Sequence, residues 1–196
     1  MKLTIEHEAG HEQALRGLAL SYYKQDTPFE EYFKEVRPKM VKLLTLLNSK
    51  SIKEGNYSHS KVLRQIHVWV MITSTRSFWS QFATYTVGVV SQSASTMHTL
   101  SKTELSYQDF SLSTSASIVN AFLDLKDGCK DIILLRDNLP EGFLQTRMVT
   151  FNYASLQNII MQRSKHRYAI EWHDFEYQLK QQLKYPEIIK WSESND

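Results

Sequence analysis

Leu3 and Ile5 alternate with Lys2, Thr4 and Glu6, the period-two signature of a short half-buried strand, and Ala9-Gly10 ends it with a break. Ala14, Leu15, Leu18, Ala19 and Tyr22 then recur at helical spacing, which predicts an amphipathic helix from about His11 to Tyr23. Thr27-Pro28-Phe29-Glu30 reads as a second helix start, with Thr27 as N-cap, Pro28 at the first position and Glu30 closing a capping box. This helix carries Phe33, Val36, Met40, Leu44 and Leu47 on one stripe. Pro38 predicts a pause at Arg37, because proline restricts the residue before it.

A polar stretch from Lys50 to Ser60, with a turn at Gly55-Asn56, leads to Ile66-His67-Val68-Trp69-Val70-Met71-Ile72-Thr73, a run expected to be a central strand buried on both faces. An aromatic-rich helix is predicted from about Thr75 to Tyr85, and an extended loop without a clear period from Gly88 to Met97. Asp109 to Leu125 and Cys129 to Arg136 read as helices, followed by a turn from Asn138 to Gly142. Met148 to Phe151 reads as a short strand running into a helix from Tyr153 to Gln162. A last helix from Tyr168 to Leu183 places Trp172, Phe175 and Leu179 on one stripe, and Pro186 stops it. Helices and strands mix without βαβ alternation, so the expected class is α+β, a mixed or antiparallel sheet with flanking helices in one domain over residues 1–196.

Composition narrows the functions. A chain of 196 residues that is 42% hydrophobic has material for one sizeable core. Lys plus Arg number 23 against 21 for Asp plus Glu, without a long run of like charges, which argues against an electrostatic grip on nucleic acid or an anionic membrane. The single cysteine, Cys129, excludes an internal disulfide and a cysteine-rich metal site. No apolar run suits a signal peptide or a membrane span, so a cytoplasmic protein is expected.

His7-Glu8-Ala9-Gly10-His11 formally matches the zincin pattern, which needs both histidines one turn apart on a helix with the glutamate beside a metal-bound water. His7, however, ends a strand pattern and Ala9-Gly10 breaks the chain between the histidines, so no metal site is expected. Arg163 follows Leu156, Ile159 and Ile160 at i, i+3, i+4 and i+7, which sends its guanidinium from the core stripe. It either packs its stem and caps the helix end, or offers a fixed fork to a phosphate or carboxylate. Arg136, just after the apolar positions Ile132, Ile133 and Leu135, either converges on the same anion or is solvated. The serines around Ser95 lack a nucleophile-elbow signature, and His59 and His98 are each read first as surface or structural histidines.

Taken in order, these segments resemble the flavin-dependent thymidylate synthase family over most of the chain. The strongest stretch runs from Arg136-Asp137-Asn138-Leu139-Pro140 through Asn152, Ser155 and Asn158 to Arg163 and Glu171, with the family's spacing and no gap. The family signature, Arg-His-Arg followed after seven residues by Ser-x-Arg-Tyr, corresponds here to Tyr85-Thr86-Val87, Gly88 to Ala94 and Ser95-Thr96-Met97-His98, so only the serine is kept. The resemblance implies that Asn152 and Asn158 face a flavin with His59 near it, and that Arg136, Arg163 and Ser95 contact dUMP. It further implies FAD as cofactor, a folate co-substrate, conversion of dUMP to dTMP and a homo-oligomer, a tetramer in the family. The lost arginines hold flavin and phosphate in the family, so a divergent member with an altered flavin site is expected. The alternative is an inactive member serving as a nucleotide- or protein-binding module, of the kind a phage gene encodes.

Overall fold

Strand β1 (Lys2–Ala9) runs antiparallel to β2 (His67–Thr75), β2 to β4 (Leu144–Asn152), and β4 to β3 (Val89–Ser93), giving the order β1-β2-β4-β3. These strands belong to a computed structural model that describes residues 1–55, 60–163, 166 and 169–192. The helices are α1 (His11–Leu20), α2 (Phe29–Glu54), α3 (Arg76–Phe82), α4 (Thr96–Thr99), α5 (Ala116–Gly128), α6 (Ile132–Asp137), α7 (Tyr153–Arg163) and α8 (Ala169–Gln182). Mixed helix and antiparallel sheet is the α+β class expected from the pattern. No helix among the described residues is long and apolar enough to cross a membrane.

One face of the sheet presents Leu3, Val68, Val70, Ile72, Val149 and Phe151 to α1, α2, α3, α7 and α8, which return Leu15, Leu44, Phe78, Leu156 and Phe175 to a common core. Each such side chain, fully buried, stabilises the fold by about 1.5–3 kcal/mol. The aromatic stripe of α8 is part of that core: Trp172, Phe175 and Leu179 are all buried. A smaller cluster of Leu100, Phe110, Val119, Phe122, Leu135 and Leu139 gathers around α5 and α6.

Several elements differ from the sequence expectation. Helix α2 starts after Pro28 without a side-chain cap and runs through Pro38 without a pause. Phe33, Val36, Met40 and Leu44 lie on both sides of the proline in one buried stripe, and their packing outweighs a proline cost of about 3 kcal/mol. Strand β2 is buried on one face only, with Met71 41% exposed on the other. Residues 89–93 form an edge strand instead of a loop; they show no alternation because nearly all of them are exposed. Helix α6 begins at Ile132, not Cys129, because Asp131 caps it by accepting from Ile133 N and Leu134 N.

A bulge between Ile5 and His7 fixes the N-terminal geometry. Ile5 pairs with Val70 and His7 with Trp69, so Glu6 is the extra residue and Glu8 shares the covered face with Val68. Gly10 follows with φ +93°, and a Cβ there would stand 2.0 Å from the Gln65 carbonyl oxygen. Only glycine fits this turn into α1.

Candidate functional site

Strand β4 ends at Asn152, opposite His67, and the chain turns directly into α7. Asn152 caps that helix: its Oδ1 accepts from Ser155 N at 2.9 Å. Ser155 Oγ donates to Val87 O at 2.7 Å and ties the 87–88 segment to the helix start. Gly88, with φ +68°, lies so close that a Cβ would come within 2.5 Å of Asn152 Nδ2.

A cavity of about 420 Å³ opens at this junction, walled by Asn48, Arg64, Gly88, Asn152, Gln157 and Asn158 among others. Part of its wall is internally satisfied: Asn48 Nδ2 donates to Gln157 Oε1 and Ile188 O at 2.8 Å each, and Gln157 Nε2 donates to Lys190 O at 2.8 Å. Among the described residues, Asn152 Nδ2, Asn158 Nδ2 and the exposed Arg64 guanidinium have no acceptor, and no Asp or Glu lines the cavity. The cavity therefore offers donors, the complement of a ligand rich in carbonyl or phosphate oxygens.

Asn158 also borders a second hollow of about 250 Å³ that reaches Tyr85 and Thr86. Tyr85 leads to Arg163, whose Nε donates to the Tyr85 hydroxyl at 2.6 Å. Its Nη2 donates to Gln81 O at 3.3 Å and Nη1 to Gln81 Oε1 at 3.5 Å, and the guanidinium lies 4.7 Å from the Trp172 ring centroid. Arg163 thus points inward, as its stripe position predicts, and is held by a phenol, an amide and an indole.

Ser95 and Arg136 lie elsewhere. Ser95 precedes α4 and makes no side-chain capping bond, and Arg136, exposed on α6, donates through Nη1 to Met97 Sδ at 3.6 Å. Of the sequence-predicted residues, Asn152, Asn158 and Arg163 therefore gather around the β4–α7 unit, whereas Ser95 precedes α4 and Arg136 lies on α6. His59 lies outside the described residues.

The zincin-like motif spans the end of β1, the Gly10 turn and the first residue of α1 instead of one helical turn. His7 packs 5.5 Å from Trp69, whereas His11 Nε2 lies 2.7 Å from Glu8 Oε1 and 3.4 Å from the Tyr153 hydroxyl. Tyr153 and the Lys184 backbone N also donate to Glu8. Burial pushes the Glu8 carboxyl up, but the bonds from His11, Tyr153 and Lys184 N outweigh it and hold the carboxyl below its ordinary range. Tyr153 is pushed far above a free phenol by burial and by the Glu8 carboxylate. No group of three or more His, Cys, Asp or Glu among the described residues is placed to hold a metal ion.

Sequence reasoning missed Arg64, which falls between the polar stretch and the strand in residues 61–65, and Arg147. The second left a signal: it has the parity of Val149 and Phe151 and so belongs to the covered face of β4. A larger hollow, about 950 Å³, is walled by Thr75, Ser77, Ser111, Glu171 and Asp174 and contains none of the predicted site residues. Glu171, the last residue of the resemblance, accepts there from Thr75 Oγ1 at 2.8 Å.

No protein-family model matches the chain, and no curated protein matches it. Solved structures do. A crystal structure of the flavin-dependent thymidylate synthase ThyX from Helicobacter pylori, complexed with FAD and dUMP, superposes with a TM-score of 0.71 at 16% identity, over 97% of this chain and 100% of that one. A second structure of ThyX from Helicobacter pylori, with FAD and dUMP, gives 0.69 at 16% identity over 95% of each chain. The fold is thus that of the flavin-dependent thymidylate synthases.

Proposed function

We propose that this chain is a nucleotide-binding protein on the thymidylate synthase scaffold, with a pyrimidine deoxynucleotide, dUMP first, as its ligand. The observation that carries the reading is the cavity at the β4–α7 junction, which offers Asn152 Nδ2, Asn158 Nδ2 and Arg64 as donors and has no carboxylate among the described residues of its wall. Those donors suit the carbonyl edge of a pyrimidinedione or of a flavin ring. Ser95 and Arg136 are assigned to the phosphate. Arg163 keeps Nε on Tyr85 and offers its Nη edge, whose bonds to Gln81 are the longer ones. The two solved relatives, each named with FAD and dUMP, support the same choice of ligand.

The residues present fit FAD only in part. The cavity donors match the ring, but Tyr85, Thr86 and Val87 at its rim offer no cation to a diphosphate, and Val87 is 86% exposed. Conversion of dUMP to dTMP with a folate-derived methylene is the finer reading, and self-association of the chain, in a tetramer by resemblance, goes with it. A second reading, binding without turnover, is favoured by the Arg163–Tyr85 bond, which spends part of a cationic fork on the protein itself.

The test is a titration of the purified protein with FAD, with and without dUMP, followed by flavin absorbance, beside calorimetry with dUMP alone. Saturable dUMP binding is expected. A change in the flavin spectrum on adding dUMP would bring thymidylate synthase assays next; dUMP binding with no flavin response favours binding without turnover. A protein that binds neither compound overturns the proposal.

A further inference from the structure

Glu171 stands in the walls of two hollows, of about 950 and 530 Å³, which also share Met1, Thr75, Ser111 and Leu112 and are therefore neighbours. Neither has a wall residue in common with the β4–α7 cavity. The larger hollow has a tied frame: Arg76 N and Ser77 N donate to Phe143 O and Glu141 O, and Ser111 N donates to Gly142 O at 2.8 Å. The 140–143 turn is thus fixed to the start of α3 and to the loop before α5. A Cβ at Gly142 would stand 1.8 Å from Thr114 Oγ1, so the loop closes on the turn only because that residue is glycine.

The walls hold carboxylates and hydroxyls, and among the described residues no Lys, Arg or His lines either hollow. Two of the carboxylates are met from within the chain, Glu141 by Arg76 at 3.5 Å and Asp174 by the Met1 amine at 3.2 Å. Glu171 has no such partner. Its Oε1 accepts from Thr75 Oγ1 at 2.8 Å and from Ser74 Oγ at 3.5 Å, whereas Oε2 is buried and has no hydrogen-bond partner. Three buried side-chain oxygens lack a partner among the described residues, and two of them, Glu171 Oε2 and Thr114 Oγ1, belong to the wall of the larger hollow. A buried carboxylate oxygen without a donor costs free energy, which an N–H brought by a ligand recovers.

The geometry narrows the class of cation. Among the described residues no three His, Cys, Asp or Glu are placed to hold a metal ion. A guanidinium binds a carboxylate best through both oxygens, but Thr75 already occupies Oε1. One free oxygen suits the point charge of an ammonium, whose remaining hydrogens go to hydroxyl oxygens such as those of Ser111, Ser113 and Thr114. The volume far exceeds an ammonium head, and Leu112, Ile118 and Ile170, all exposed, offer an apolar rim to the rest of the molecule.

We propose that this hollow is a second ligand site, which binds a primary alkylammonium with its head on Glu171 and its chain along Leu112, Ile118 and Ile170. It stands independently of the nucleotide reading, because the two sites share no residue.

Calorimetry at constant ionic strength with n-butylammonium, methylammonium, n-butylguanidinium and n-butanol tests this on the wild type, Glu171→Gln, Ile118→Ser and the surface control Glu31→Gln. Butylammonium is expected to bind saturably, methylammonium and butylguanidinium more weakly and butanol not at all. Glu171→Gln keeps an acceptor for Thr75 but is expected to weaken butylammonium about tenfold or more, with dUMP affinity unchanged. Ile118→Ser narrows the advantage of butyl over methyl, and Glu31→Gln leaves it unaltered. A wild type that takes up no butylammonium, undiminished affinity in folded Glu171→Gln, an equal loss in Glu31→Gln, or tighter binding of butylguanidinium overturns the site while leaving the nucleotide reading intact. Circular dichroism checks folding; if Glu171→Gln does not fold, Ile118→Ser decides, and an unchanged preference for butyl over methyl overturns the proposal.

Discussion

The Arg163 guanidinium and the Tyr85 hydroxyl lie 2.6 Å apart, joining the end of α7 to the segment after α3 through a bond that crosses 78 residues of sequence. With Trp172 under the guanidinium, this is a structural clamp as well as a candidate ligand contact. Arg136, by contrast, is exposed, and its guanidinium bonds weakly to Met97 Sδ at 3.6 Å.

The two arginines are therefore predicted to separate in stability. Arg163→Ala is expected to cost about 1.5–3 kcal/mol, the range for hydrogen bonds to a charged group, whereas Arg136→Ala stays within about 0.5 kcal/mol. Urea denaturation of the two variants measures both. Equal stabilities would mean that the Tyr85 contact contributes nothing.

Gly88 and Gly55 form an internal control for the junction. Both have positive φ, +68° and +64°, but only at Gly88 would a methyl group meet neighbours, Asn152 Nδ2 at 2.5 Å and Ser155 Oγ at 2.6 Å. Gly55→Ala is predicted to cost about 1–2 kcal/mol, the strain of a left-handed alanine. Gly88→Ala is predicted to cost more and also to weaken ligand binding at the cavity. Thermal unfolding of the pair decides, and an equal loss would place the Ser155–Val87 tie outside the determinants of stability.

Asn152→Asp isolates the donor character of the cavity. Aspartate is as good an N-cap as asparagine, so Ser155 N keeps its acceptor and stability is expected to change by less than about 1 kcal/mol. The free amide donor, however, becomes a carboxylate oxygen facing the ligand. Affinity for dUMP is expected to fall at least about tenfold, and undiminished binding in a folded variant would show that Asn152 Nδ2 does not meet the ligand.

How much of this was legible in the sequence depends on what each residue answers to. The stripe through Leu156, Ile160 and Arg163 sent the arginine inward correctly, because a helical period is a local property. That its partner would be Tyr85 was not legible, since the bond needs α3, α7 and α8 assembled together. Edge strand β3 was missed because its exposed residues carry no period, and the run through Pro38 was missed because packing on α1 overrides a local rule. Asn152 and Asn158, which the resemblance sets against a flavin, line one cavity, and Arg64 reaches the same wall through the short 3-10 turn at Lys61–Gln65 that no spacing announces.

The Glu8 cluster makes the last prediction, and its sign follows from the direction of the shift. Glu8 titrates below its ordinary value of 4.5 in the folded chain, because the bonds from His11, Tyr153 and Lys184 N favour the carboxylate. The unfolded chain therefore binds the proton more readily, and Glu8 contributes stability that is full above pH 4.5 and is lost as pH falls through the lower folded value. Glu176 works in the opposite sense, since burial raises its carboxyl despite the bonds from Ser192. Comparing wild type with Glu8→Gln cancels that contribution. The substitution is expected to cost about 1.5–3 kcal/mol at neutral pH, with the gap between the two proteins closing below pH 4.5 in urea titrations run at stepped pH. A gap that stays constant down to pH 3 would mean that the bulge turns Glu8 inward for packing and not for its charge.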